Sequence, residues 1–243
     1  MRFTHLTGFS VVLGCLAAIT MGVLASVARA DPLEPLIAID VLVEPDATMI
    51  AAAQAVNARL REAYPEGYSL DESHAPHITL LQRYVREQDL DRVTAAVAQV
   101  LQKTDPLALQ MRAIGYEYVV WAGVALTGIA VERSPDLVLL HERITEAVAP
   151  FAVSGGTSAA FAQGPGSSDI NAETMAYVEN FVPKASGANY APHVTVGVGP
   201  ESFVRELKAE GLTPFTFGAR GVAVYQLGDF GTAQKRLWGW DRQ

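Results

Sequence analysis

The sequence predicts an α+β fold of two similar lobes, and three observations predict it. The hexapeptide Ala75-Pro76-His77-Ile78-Thr79-Leu80 returns as Ala191-Pro192-His193-Val194-Thr195-Val196. Each copy opens an apolar run after a proline, as strands do. The elements marked by hydropathy and turn residues run strand, helix, strand, helix, strand, strand, helix, loop, strand, helix, strand, strand. One motif strand falls in each half. That order is not a regular βαβ series, which argues against a doubly wound parallel sheet.

Leu36 to Val43 reads as a strand rich in β-branched residues and closed by Pro45. Asp46-Ala47-Thr48 offers caps for a helix over 47–63, with Met49, Ile50, Ala53, Val56 and Leu60 on one stripe. Pro65-Glu66-Gly67 is a turn, and His77 to Val85 is the first motif strand. A second helix over 87–103 places Leu90, Val93, Val97, Val100 and Leu101 near 3.6-residue spacing. Pro106 to Tyr118 and Val119 to Val131 read as two strands with no strong turn signal between them. Ser134 as N-cap and Pro135 at the first helical position start a third helix carrying Leu137, Leu140, Ile144 and Val148.

From 153 to 191 the periodicity fades. Ser154-Gly155-Gly156-Thr157 and residues 164–168 are loop chemistry, and only Thr174 to Val182 has the pattern of an element. A long loop-rich insertion leading straight into His193 reads as a wall or lid over a site. Beyond the second motif, Glu201 to Gly211 is a short helix. Phe215 to Gln226 and Ala233 to Trp240 are strands joined by Gly228-Asp229-Phe230-Gly231.

The first thirty residues stand outside this pattern. Arg2 precedes an apolar stretch from Phe9 to Val27, and Ala28-Arg29-Ala30 offers the small residues a signal peptidase reads. We therefore expect residues 1–30 to be a cleaved signal peptide, leaving a single two-lobed domain over 31–243 in the periplasm or secreted. An uncleaved N-terminal membrane anchor is the alternative, because the stretch nearly reaches spanning length. Cys15, the only cysteine, leaves with that segment, so the mature chain has neither disulfide nor thiol site. Removing Arg2 and Arg29 leaves 16 basic against 26 acidic residues, a net charge of −10. With no Lys/Arg stripe, the sequence favours a small nucleotide or a short RNA end over tracking of long nucleic acid, although net charge leaves room for a local basic pocket. No stable membrane partner is expected after cleavage, and the protein is expected to be a monomer.

The two motifs carry the chemistry. Side chains alternate along a strand, so each copy points an imidazole and a hydroxyl the same way. Two copies facing one another place two acid/base groups and two hydroxyl donors around one small anion. That suits a phosphate ester without a metal.

At these residues the chain resembles the 2H phosphoesterases, whose paired His-x-Thr-x motifs include those of bacterial 2′-5′ RNA ligase-like proteins. The resemblance covers most of 36–243. It extends, less specifically, to Leu36–Val41, Val120–Val124 and Gln226–Thr232. It implies two pseudo-twofold lobes with antiparallel sheets flanking a central cleft. It also implies a phosphoesterase that opens 2′,3′-cyclic phosphates or related phosphodiesters, with 2′-5′ RNA ligation as the reverse reaction.

His77 and His193 are then the catalytic pair, since an imidazole with a pKa near ~6.5 serves as base or acid at neutral pH. Thr79 and Thr195 hold the non-bridging phosphate oxygens. Arg83 stays in phase with His77 and Thr79 if the strand runs straight that far, and a guanidinium there suits phosphate. Among the aromatic residues Tyr177 is the candidate for stacking a base. His74 and His77 are wrongly spaced for one strand face and have no third ligand nearby, so neither a metal nor a cofactor is expected. His141, inside a helix, reads as a surface or packed residue. A non-catalytic secreted ligand-binding protein on the same fold is the competing class.

Overall fold

The computed structural model describes residues 34–121, 123–163 and 170–241, together with the backbone of Ala28–Arg29. The rest of the expected signal segment, the Trp121 side chain and the loop at 164–169 lie outside the described residues. In chain order the elements are β1 Ala28–Arg29, β2 Leu36–Pro45, α1 Ala47–Ala63, β3 Ile78–Arg86, α2 Leu90–Thr104, β4 Gln110–Trp121 and β5 Val124–Val131. They continue with α3 Pro135–Val148, β6 Ala152–Ser154, α4 Ala172–Ala185, β7 His193–Gly199, α5 Glu201–Glu210, β8 Phe215–Leu227 and β9 Ala233–Asp241. Among the described residues no helix is long and apolar enough to cross a membrane.

The caps explain the helix starts. Asp46 accepts hydrogen bonds from the Thr48 and Met49 amides, and Ser134 accepts from Leu137. Asn171, whose side chain accepts from Thr174 at 2.7 Å, starts α4. That helix runs past Pro183 and is longer than the sequence pattern suggests. The missing strand join lies at Gly123, whose φ of +85° reverses the chain so that Trp121 pairs with Val124. Both flanking runs are apolar, so only that glycine marked the turn. Pro106–Ala108 forms a 3₁₀ turn before β4 and is not part of a strand.

The α+β fold is confirmed, with one antiparallel sheet apart from the short parallel β1–β6 pair. The hydrogen-bonded order is β6-β3-β2-β8-β4-β5-β7, and β9 pairs with the second half of β8. β3 also meets β7 through an antiparallel pair at Ile78 and Val194, which closes the strands into a ring.

The topology contains a repeat that the sequence hides. The series β2-α1-β3-α2-β4 recurs as β5-α3-β7-α5-β8, with β6 and α4 inserted before β7. The helices change sides: α1 packs chiefly on β7, whereas α3 packs on β3 and α2. Met49, Ala53, Val56 and Leu60 of α1 are buried there, while Ile50 is only partly covered. Leu137, Leu140, Ile144 and Val148 bury the matching face of α3.

Both motif strands also break register at the same place. Thr79 pairs with Leu42 and Leu81 with Val41, so Leu80 is an extra residue in β3. Thr195 pairs with Gly128 and Gly197 with Thr127, so Val196 is the extra residue in β7. A bulge frees a backbone carbonyl that must find another partner. A buried side chain from the crossing helix supplies it each time. Nδ1 of His141 in α3 donates to Leu80 O at 2.6 Å, and Nδ2 of Asn57 in α1 donates to Val196 O at 2.9 Å. His141 is therefore a core residue. Its Nε2 accepts from the Gly187 amide, and its ring stacks on Tyr190 at 3.9 Å. Burial lowers its pKa below the ordinary imidazole value.

Candidate active site

The Ile78–Val194 pair lies at the centre of the site. Antiparallel register from that pair sets His77 against Thr195 and Thr79 against His193. All four residues line one cavity of about 470 Å³, within the usual range for small-ligand pockets. Its walls include the β4–β5 hairpin, with Glu117, Tyr118, Val119 and Val120. The opposite wall is α4, with Thr174, Tyr177 and Phe181. The insertion expected as a wall or lid thus contributes a wall through its helix. Among the described lining residues there is no Lys or Arg. Nor does any cluster of three or more His, Cys, Asp or Glu among the described residues stand ready to hold a metal.

The Ala-Pro that precedes each histidine orients its ring. Nδ1 of His77 faces Ala75 O at 2.7 Å, and Nδ1 of His193 faces Ala191 O at 2.9 Å. A carbonyl only accepts, so both rings carry a proton on Nδ1 and turn Nε2 away from it. Gly128 gives His193 room: a Cβ there would stand 3.2 Å from the ring's Cδ2.

The half-sites differ in their carboxylates. Asp40 is fully buried on β2, and its Oδ2 lies 3.6 Å from Nε2 of His77, an ion-pair separation. The same oxygen accepts from Thr79 Oγ1 at 2.7 Å and from Gln82 Nε2 at 2.9 Å. Oδ1 has no partner among the described residues. Burial alone would depress the His77 pKa. The Asp40 carboxylate, helped by Ala75 O and Glu44, outweighs it and holds His77 above the ordinary imidazole value. On the other side, Oε1 of Glu117 approaches Nδ1 of His193 at 3.0 Å. The Thr195 hydroxyl has no hydrogen-bond partner among the described residues.

The sequence-derived candidates divide accordingly. His77, His193, Thr79, Thr195 and Tyr177 are brought together. Burial, with the charges of Asp40 and Glu117, pushes the Tyr177 phenol up to about 12, and its ring packs edge-on against Phe181. Arg83 lies apart from them. The bulge at Leu80 shifts the strand's phase by one residue, so Gln82 faces Asp40 while Arg83 pairs with Ile39 on the core face. Arg83 does not line the cavity. Burial lowers its pKa, partly offset by Glu179.

Four site residues escaped the sequence reading: Asp40, Gln82, Glu117 and Phe230. Asp40 had a signal, a lone acid inside the apolar run Leu36–Val43, since an acid seldom sits there unless paired. Phe230 has a φ of +56°, rare for a residue other than glycine. It is held beside the cavity by Thr174, whose hydroxyl accepts from the Phe230 amide and donates to Asp229.

A family model described as the 2′-5′ RNA ligase superfamily matches residues 45–228, which include both motifs. No curated protein matches the chain.

Proposed function

The chain belongs to the 2′-5′ RNA ligase superfamily, the 2H phosphoesterases, and from that premise we propose a metal-independent phosphodiesterase of nucleotides or short RNA ends. Its reaction is the hydrolytic opening of 2′,3′-cyclic phosphates or related diesters by two histidines. The observation that carries this reading is the Ile78–Val194 pair, which joins two His-x-Thr strands at one cavity. One imidazole takes a proton from water while the other gives one to the leaving oxygen. Thr195, with its free hydroxyl, suits a non-bridging oxygen better than Thr79, whose proton is directed to Asp40. Tyr177 and Phe230 line the cavity where a base would lie. The lining has no Lys or Arg among the described residues, which suits a ligand with one phosphate and favours a small substrate over long RNA.

Turnover of 2′,3′-cyclic nucleotides by purified protein tests the reading. Activity should survive chelators, and His77→Ala or His193→Ala should each lower kcat about 10²–10⁴-fold. A fully active His193→Ala variant, or activity abolished by chelation and restored by a divalent ion, would sink it. The same panel should include 2′-5′-linked substrates, because ligation is the reverse reaction.

The proposal extends to location: export, cleavage after Ala30, and a periplasmic or secreted monomer. The strand pairing of Ala28–Arg29 with Val153–Ser154 would be lost on cleavage. Intact-mass analysis of protein from the expressing cell should show Asp31 as the first residue.

A further inference from the structure

Building on the phosphodiesterase reading, we propose a second anion site beside the cavity of the two motifs. There Arg220, Lys235 and Arg236 hold the phosphate on the 5′ side of the terminal nucleotide. The preferred substrate is then a 2′,3′-cyclic phosphate that carries one further phosphate.

The site is a cavity of about 790 Å³ that meets the first one at His77. Glu44, Arg220, Tyr225, Lys235 and Arg236 line it away from that ring. β2 joins the two cavities, because Asp40, Leu42 and Glu44 alternate onto one face of the strand. At one end of that face Asp40 contacts His77, and at the other Glu44 contacts both arginines. A smaller space shares His77 and Thr195 with the first cavity and Leu70 and Ala75 with the second. The two cavities therefore lie along one groove.

Bulges aim the cations. On a regular strand consecutive side chains point to opposite faces, yet Gln234, Lys235 and Arg236 all line this cavity. Leu227 pairs with Ala233 and Gln226 with Lys235, so Gln234 is an extra residue in β9. Tyr225 pairs with Arg236 and Val224 with Trp238, so Leu237 is another. Arg220 is itself the extra residue of β8, since Pro45 pairs with Ala219 and Glu44 with Gly221. Bulges re-aim side chains in this way and concentrate beside active sites. Gly239 completes the fit, because a Cβ there would collide with the Arg236 guanidinium. Lys235 and Arg236 also lie beyond residues 45–228, the span that the family model matches.

The cations are anchored and still have donors to offer. Buried Glu44 accepts from the Tyr225 hydroxyl at 2.9 Å and from Nε and Nη2 of Arg236 at 3.2 and 3.1 Å. Arg220 reaches the same carboxylate through Nη2, at 3.3 Å. A guanidinium has five N–H groups, and neither Nη1 has a partner among the described residues. Lys235 is exposed and has no partner among the described residues. On this wall three cations stand against two carboxylates, Glu44 and Asp241, the second of them paired to Arg236. One positive charge is left over, which matches one phosphodiester. Net charge does not prevent such a local surplus.

The chemistry of the substrate says which phosphate this is. A 2′,3′-cyclic phosphate ties up both neighbouring hydroxyls of its ribose, so the chain continues only from the 5′ oxygen. With the base in the first cavity and the cyclic phosphate at the two motifs, the 5′ side is left to enter the second. Asp71 and Glu72, on the loop before His77, also line that cavity. Asp71 is held by Ser73 and His74. Both acids repel a further phosphate, so the groove suits one more anion and not a long strand.

Three substrates of one nucleoside test the site: the 2′,3′-cyclic nucleotide, its 5′-phosphorylated form, and the dinucleotide that ends in the same cyclic phosphate. Wild type should favour the last two over the first by at least about tenfold in kcat/KM, chiefly through KM, as charged hydrogen bonds to a remote group do. Lys235→Ala and Arg220→Ala should each cut that ratio at least about threefold, within what exposed ion pairs contribute. Lys235→Arg, which keeps the charge, should retain it. Equal losses on all three substrates in the folded variants would make these residues structural and overturn the proposal. So would a wild type that turns over the three alike. A gain confined to the dinucleotide would assign the groove to the added nucleoside and overturn the phosphate site. A wild type inert to all three would overturn the phosphodiesterase reading, and the second site with it.

Discussion

Replacing each motif threonine by valine separates the two half-sites by stability, without relying on any activity. Valine nearly matches threonine in shape, so the change removes the hydroxyl and leaves the packing. At Thr79 the hydroxyl donates to the buried Asp40 at 2.7 Å, and Oδ1 of that carboxylate already has no partner among the described residues. A hydrogen bond to a charged group contributes about 1.5–3 kcal/mol. For a domain of this size, each kcal/mol moves Tm by roughly 2–4 °C. Thr79→Val should therefore lower Tm by roughly 3–12 °C. The Thr195 hydroxyl has no such bond, so Thr195→Val should stay within about 0.5 kcal/mol of wild type. Urea unfolding followed by circular dichroism, with equal m-values for the three proteins, measures both. Equal destabilisation of the two variants would refute the claim that Thr79 is committed to Asp40. So would a less stable Thr195→Val.

His141 and Arg83 give two further checks. The folded pKa of His141 is lowered by burial. Its contribution is therefore present above the unfolded value of ~6.5 and is lost as pH falls through that value toward the folded pKa. His77, with a raised pKa, acts in the opposite sense: its contribution is present below ~6.5 and is lost as pH rises through the folded value. His141→Leu should flatten the acid branch of a Tm-against-pH curve. It should also cost about 1–3 kcal/mol at neutral pH by stripping the Leu80 carbonyl of its partner. An unchanged acid branch would assign that loss to another group. Arg83→Ala should leave kcat/KM within about twofold, because the side chain lies off the cavity. A tenfold loss would return the guanidinium to the substrate.

The legible parts of this protein were the local ones. Helix caps at Asp46 and Ser134 and the two Ala-Pro-His-x-Thr runs are written in adjacent residues, so both histidines and both threonines could be placed in the site from sequence. The bulges could not be read that way. An extra residue at Leu80 exists only relative to the register of β2, and it moves Gln82 into the position that straight-strand phase gives to Leu81 and Tyr84 into the one it gives to Arg83. Glu117 was hidden for a similar reason, since its neighbour His193 comes from a strand 76 positions later. The wall made by α4 was only half visible, because its first turn is fixed by Asn171 and by the distant Asp229. The repeat went unseen because the two copies share little beyond the motif. The bulge carbonyl is held by histidine in one copy and by asparagine in the other.

That divergence has a physical consequence for an acid–base pair. With two identical, independent imidazoles, the productive combination of one specified neutral ring and one specified charged ring reaches at most about a quarter of the molecules, at the pH equal to their common pKa. Separating the two titrations removes the ceiling, because between them nearly every molecule carries the proton on the correct ring. The protein raises one of the two titrations by changing a single position on a duplicated framework: Asp40, in the register position of Leu126, stands beside Nε2 of His77 and holds that ring above the ordinary imidazole value. The cost falls on the fold: a buried carboxylate needs Thr79, Gln82 and His77 around it, which leaves Thr195 as the one motif hydroxyl free for phosphate. Asp40→Leu, which removes the carboxylate beside Nε2 of His77, should therefore narrow the pH–rate bell and lower its maximum, even if it folds as well as wild type. An unchanged bell would mean that something other than Asp40 separates the two rings.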